Sequence, residues 1–95
     1  SAVLGVESIF TPAGPMVVWS SEAAFSQTMI TGAKLDPSGA FLCAPFQVSS
    51  ILSSKSRLDF TLSTYGFGLL VWSDGRSDGG DIYAQDIKPD CSLGQ

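Results

Sequence analysis

Apolar residues along the chain occur in short runs and not at helical spacing. The runs are rich in β-branched and aromatic residues and are bounded by Gly, Pro, Ser or Asp, which is typical of β-strands. They span residues 15–20, 28–35, 57–64, 67–73 and 81–87. In the run 57–64, Leu58, Phe60 and Leu62 alternate with polar residues, which indicates a strand with one buried face. Residues 20–27 predict one helical turn at most, too short to be stable alone.

The chain also repeats itself. Residues 11–20 align with residues 64–73, which places Trp19 over Trp72, and residues 29–39 align with residues 81–91, which places Pro37 over Pro89. The two alignments differ by one position, and the slip falls in a loop, where insertions are tolerated. Residues 1–95 therefore predict a single unit of two repeats, 1–50 and 51–95. Residues 40–50 are expected to form the fourth strand of the first repeat, and the N-terminal residues 1–8 to complete the second.

The stretch LLVWSDGRSDGGDIYAQDI, residues 69–87, resembles the repeat of bacterial extracellular β-propellers. That repeat has an apolar run, Trp-x-Asp-x-Arg, a Gly-rich turn and Asp-Ile-Tyr-Ala-Gln. The first repeat keeps Trp19 but has Ser21-Glu22-Ala23 in place of Asp-x-Arg. The resemblance implies an all-β fold of two four-stranded antiparallel blades. Because a closed propeller uses about 4 to 8 blades, two blades form an incomplete ring, and the chain is either a piece of a longer polypeptide or a subunit that associates. The alternative is a compact sandwich of about eight strands.

Composition narrows the class of protein. The 95 residues suffice for one small domain, and a hydrophobic content of 44% indicates a globular chain. The net charge is −4 and the five basic residues are scattered, which argues against nucleic acid and anionic membrane surfaces as partners. No apolar stretch approaches the roughly 20 residues that span a bilayer. Cys43 and Cys91 are either one disulfide or two buried thiols.

The loop 74–81 carries Asp74, Asp78 and Asp81 around three glycines. Carboxylates on a sharply turning loop can bind calcium. The spacing does not match an EF-hand, however, and Arg76 brings a positive charge into the loop. The favoured interpretation is a hairpin between two strands, with an Asp74–Arg76 pair stabilising it.

Four aromatic residues are candidates for ligand binding: Trp19, Trp72, Tyr65 and Tyr83. Aromatic rings at strand ends can stack on sugars or on partner residues. The matching places of the two tryptophans in the repeats favour packing between strands instead.

No catalytic residues are predicted. The chain has no histidine, which excludes Ser-His-Asp and Cys-His nucleophile arrangements. The expected function is a non-catalytic β-propeller module for binding or scaffolding, secreted or in the cell envelope. Its partners would be other blades in the same or another chain, or a protein or carbohydrate ligand, and its only candidate cofactor is calcium. The alternatives are a fragment of a glycan-acting propeller enzyme and a small lectin-like carbohydrate-binding module.

Overall fold

The computed structural model describes residues 3–24, 27–75 and 80–94, and the chain is all-β in these ranges. The seven strands are β1 (Val3–Thr11), β2 (Gly14–Ala24), β3 (Gln27–Leu35), β4 (Phe41–Ser53), β5 (Lys55–Leu62), β6 (Gly68–Asp74) and β7 (Asp81–Ile87). Among the described residues, no helix is long and apolar enough to cross a membrane.

The strands form two antiparallel sheets. The first sheet has the order β1-β2-β3-β4 and the second has the order β5-β6-β7, so each is a simple meander. This confirms the all-β class and the antiparallel pairing, whereas the second sheet has three strands in the described part of the chain and not four. The N-terminal segment pairs with β2, where Ile9 lies opposite Met16, and so belongs to the first sheet and not to the second. Residues 20–24 continue β2 and do not form the helical turn that the sequence allowed.

Three five-residue turns share one hydrogen-bond pattern: 36–40 between β3 and β4, 63–67 between β5 and β6, and 88–92 after β7. In each turn the first residue donates its N–H to the carbonyl of the fifth, and the fourth donates to the carbonyl of the first. The fourth residue has a positive φ in all three: 93° at Gly39, 84° at Gly66 and 71° at Cys91. Glycine adopts this conformation without cost, but Cys91 has a Cβ and pays for it. Cys91 therefore occupies a position whose backbone conformation favours glycine.

The two sheets pack face to face around one hydrophobic core. We call the face of each sheet that contacts the other its inner face, and the opposite one its open face. The core residues of the first sheet are Ile9, Met16, Val18, Ile30 and Val48, and those of the second are Phe60, Leu70, Trp72 and Ile87. Along β6 the residues alternate between buried and half-buried, as a strand with one covered face requires.

Covalent and polar contacts join the sheets at two places. Cys43 on β4 forms a disulfide with Cys91 in the turn after β7, which confirms the pairing that the sequence left open. Beside it, the Lys34 ammonium donates to the carbonyl of Pro89 over 2.6 Å. At the other place the buried Lys55, first residue of β5, donates from Nζ to the carbonyl of Thr28 over 2.8 Å. This Lys55 joint also includes a bond from Nζ to Ser53 Oγ over 2.9 Å and one to the carbonyl of Ile51.

Candidate functional site

An aromatic pair lies at the inner face of the second sheet. Trp72 and Tyr83 are directly opposite one another on β6 and β7. Their ring centroids are 6.3 Å apart and the planes are inclined by 20°, so the rings are stacked. Trp72 is only 4% exposed, and its indole Nε1 donates to Asp74 Oδ2 over 2.9 Å. Packing and the buried hydrogen bond from Trp72 to Asp74 therefore help to fix the pair in place.

A shallow cleft opens beside this pair, between β7 and β4. The cleft has a volume of about 250 Å³, and its wall on β4 includes Ser49 and Ser50. Ligand pockets for small molecules usually measure about 300–1,000 Å³, so this cleft is small for the purpose. The Gln85 amide at its edge donates to the carbonyl of Gly94 over 2.9 Å and is thus turned toward the C-terminal segment. The cleft combines the serine hydroxyl groups with apolar side chains such as Val48 and Ile51, and it includes no charged side chain among the described residues that line it.

Only the two ends of the acidic loop 74–81 lie within the described residues. Asp74 and Asp81 are directly opposite at the ends of β6 and β7, which makes the connection a hairpin. Asp74 is fully buried and Asp81 is exposed. Arg76 and Asp78 lie outside the described residues, so the predicted ion pair and the predicted calcium site remain predictions. In the described ranges, no group of three Asp, Glu or Cys residues could hold a metal ion.

The structure gives Asp74 a role that the sequence analysis missed. Its carboxylate accepts the indole N–H of Trp72, two residues earlier on the same face of β6. A buried carboxylate is costly unless its oxygens are hydrogen-bonded. The signal was present in the sequence as Trp-x-Asp, since residues i and i+2 of a strand point to the same side.

The other two predicted aromatic residues do not join this pair. Trp19 is half-buried on the open face of the first sheet, on the side of β2 opposite to the core residues Met16 and Val18. Tyr65 is 84% exposed at the tip of the β5–β6 hairpin. The four candidates therefore lie in three separate places and do not form one binding surface.

A second cleft, of about 390 Å³ and with charged residues in its wall, lies where β1 passes β5. Glu7, Ser20 and Arg57 line it, together with Lys55, whose ammonium donates to the oxygens of the Lys55 joint. Arg57 was predicted to lie on the polar face of a regular strand. It lies instead in a β-bulge opposite Trp72, with a positive φ of 59°. Bulges redirect side chains and are frequent at sheet edges and beside functional sites.

Two exposed carboxylates stabilise turns and have altered acidity. Asp36 Oδ1 accepts bonds from the hydroxyl and the N–H of Ser38 and from the N–H of Ala40. The Ser38 hydroxyl bond is the largest cause that lowers the pKa of Asp36 below its ordinary value of 3.8. Asp90 is in the same situation, because the hydroxyl and then the N–H of Ser92 lower the pKa of its carboxyl.

Comparisons with protein-family models, with curated proteins and with solved structures find no match to this chain.

Proposed function

We propose that this chain is a non-catalytic β-propeller module that acts in binding or scaffolding, with each sheet as one blade. Two observations support the choice of architecture. Both sheets are antiparallel meanders, and they pack face to face with a single residue, Ser54, between the last strand of one and the first strand of the other. A β-propeller is a radial repetition of antiparallel sheets, each forming one blade.

The observation that carries the proposal is the direction of packing. The turns 36–40 and 88–92 have the same hydrogen bonds, which places Leu35 in register with Ile87. Ile87 is fully buried on the inner face, whereas Leu35 is half-buried on the open face of the first sheet. The same holds for Trp72, which is buried, and its counterpart Trp19, which is on the open face. The two inner faces are therefore not equivalent, because the inner face of the second sheet corresponds to the open face of the first. This is a head-to-tail contact.

A head-to-tail contact leaves one unused face at each end, and it can be repeated. Such heterologous contacts generate rings if the rotation closes. A sandwich of two sheets that use equivalent faces would leave no such pair of complementary faces. The packing direction therefore favours the propeller interpretation over the eight-stranded sandwich.

The disulfide bears on location. Disulfides form and persist in oxidising compartments, and the Cys43–Cys91 bond fits such an environment. We place the module outside the cytosol, as a secreted or cell-envelope protein.

The lectin-like alternative depends on the cleft beside Trp72 and Tyr83. A sugar stacks on the open face of an aromatic ring, and Trp72 offers almost none, at 4% exposure. The small cleft volume, about 250 Å³, agrees with this. Carbohydrate binding is therefore the less supported function.

Tandem copies of the chain test the propeller proposal. We expect proteins with two, three and four linked copies to differ sharply: the number that closes the ring should give a compact particle with a higher melting temperature. Small-angle scattering and thermal denaturation measure both properties. The propeller proposal would be wrong if the linked copies behaved as independent domains. All the proteins would then share one melting temperature, and their radius of gyration would grow steadily with copy number.

A further inference from the structure

The open face of the second sheet is apolar at its centre. On β6 it presents half-buried Leu69 and Val71, and on β7 it presents Ile82 and Ala84. Ile82 is 75% exposed. Neighbouring apolar side chains that stay partly or fully exposed on a sheet face mark an interaction surface more often than single ones do.

These residues have counterparts in the first sheet. The shared turn geometry and the strand pairing fix the correspondence, because Met16 lies opposite Lys34 as Leu69 lies opposite Asp86. The pairs of corresponding residues are Leu69 and Met16, Val71 and Val18, Ser73 and Ser20, Ile82 and Ile30, and Ala84 and Gly32. The pairs at 71, 73 and 82 are identical residues.

The counterparts in the first sheet are buried, and the structure shows which surface covers them. Met16, Val18 and Ile30 have no exposed surface, because the inner face of the second sheet packs on them. That covering face contains Trp72, which corresponds to Trp19. The open face of the second sheet therefore repeats a surface that, in the first sheet, already binds a Trp-bearing face.

We infer that a second copy of this chain docks on the open face of the second sheet through the open face of its own first sheet. The docking face on the second copy contains Val17, Trp19, Thr31 and Leu35, which correspond to Leu70, Trp72, Tyr83 and Ile87 on the covering face. The occupant is a second copy because this chain itself carries the matching face. The inference rests on the proposed function, and it names the two surfaces and the order in which they meet.

Two blocking variants test the order of contact. Ile82→Asp places a charge on the open face of the second sheet, and Thr31→Glu places one on the open face of the first. Each leaves the other face intact. Because a buried unpaired charge is strongly destabilising to an interface, each variant alone should associate more than about 100-fold more weakly than the unmodified chain. Tyr65→Asp, at the hairpin tip away from both faces, is the matched control and should associate normally.

Mixing gives the decisive result. A head-to-tail contact predicts that equimolar Ile82→Asp and Thr31→Glu form a dimer and nothing larger, since each supplies the face that the other lacks. Sedimentation velocity measures the species, and circular dichroism confirms the strand content of each variant. Ala84→Asp serves as a second block on the same face if Ile82→Asp does not fold.

Three results would overturn the inference: an unmodified chain that stays monomeric at millimolar concentration, a Thr31→Glu variant that still dimerises alone, or a mixture that stays monomeric. The first result is separable from failure of the propeller proposal. Linked copies reach effective concentrations in the millimolar range, so tandem proteins that close a ring while free chains stay monomeric would retain the propeller and exclude self-docking.

Discussion

Ile30 on β3 and Ile82 on β7 are the same residue on strands that lead into turns with the same hydrogen bonds, and yet one has no exposed surface and the other is 75% exposed. Trp72 and Trp19 differ in the same way, with the second sheet holding the buried member. The residue type is the same within each pair, so the difference in exposure comes from which face of the sheet has a neighbour. A strand pattern indicates that a residue prefers burial, and the neighbouring sheet decides whether it is buried.

The largest expected effect comes from the tryptophan pair. Trp72→Ala should destabilise the chain by about 3–5 kcal/mol, because it empties the core between the sheets and leaves Asp74 without its indole donor. Trp19→Ala should cost less than about 2 kcal/mol, since Trp19 is on an open face. Urea denaturation below the concentration of self-association measures both.

This comparison has a clear contrary result. Equal losses for the two variants in the monomer would mean that Trp19 is buried as deeply as Trp72, and the assignment of open and inner faces would be wrong. Tyr65→Ala, which removes an exposed ring of similar size, controls for the general effect of losing an aromatic residue.

The disulfide is next in size. Its two cysteines are 48 positions apart, and closing a loop of that length stabilises by about 4 kcal/mol in the chain-entropy model. Cys43→Ser with Cys91→Ser should lose about this amount. Cys43→Ser with Cys91→Gly should recover about 1 kcal/mol of it, because glycine adopts the positive φ of position 91 without cost. Thermal denaturation of the two double variants gives the difference directly. Equal stability would show that the turn relaxes when the bond is absent.

The smallest effect concerns acid and the two aspartate turns, one in each sheet. The folded pKa values of Asp36 and Asp90 lie below 3.8. The unfolded chain therefore binds protons first as the pH falls, so the stabilisation is present above pH 3.8 and is lost as the pH passes through the folded pKa values. Asp36→Asn with Asp90→Asn should lower stability at neutral pH and flatten its decline in acid.

Urea denaturation at several pH values measures this slope. Ser38→Ala removes the hydroxyl that is the largest cause of the shift at Asp36 and should flatten the slope in part. Ser63→Ala is the matched control, since the turn 63–67 has a serine and not an aspartate at its first position. An unchanged acid slope in the double Asn variant would show that other groups control acid denaturation.

Much of the strand arrangement could be predicted from the sequence. The run 81–87 coincides with β7, and the other four runs fall within about four residues of β2, β3, β5 and β6 at each end. Short runs with β-branched residues and clear turn signals determine these strands locally. The strand predicted at 40–50 was also found, as Phe41–Ser53.

Features that depend on distant residues could not be predicted. The partner of the N-terminal segment depends on which edge is free, and no local pattern encodes it. The bulge at Arg57 and the burial of Lys55 depend on where β5 meets the first sheet. The candidate site was predicted least well, because Trp19 and Trp72 align in sequence but lie on opposite faces relative to the core. Which face of each sheet is covered decides what a strand residue contacts, and that depends on the neighbouring sheet.

The Lys55 joint and the disulfide lie at opposite ends of the sheets, and this arrangement has a mechanical consequence. Thr28 and Lys34, which mark the two ends on β3, are six residues apart, or about 20 Å. At the first end Ser54 is the single residue between β4 and β5, and the hydrogen bonds of the Lys55 joint hold the two sheets together there. We therefore expect the Lys55 joint to act as the hinge of any opening between the sheets. The Cys43–Cys91 disulfide holds the opposite end closed. Reduction of the disulfide would free that end, where a small rotation about the Lys55 joint separates the two sheets the most.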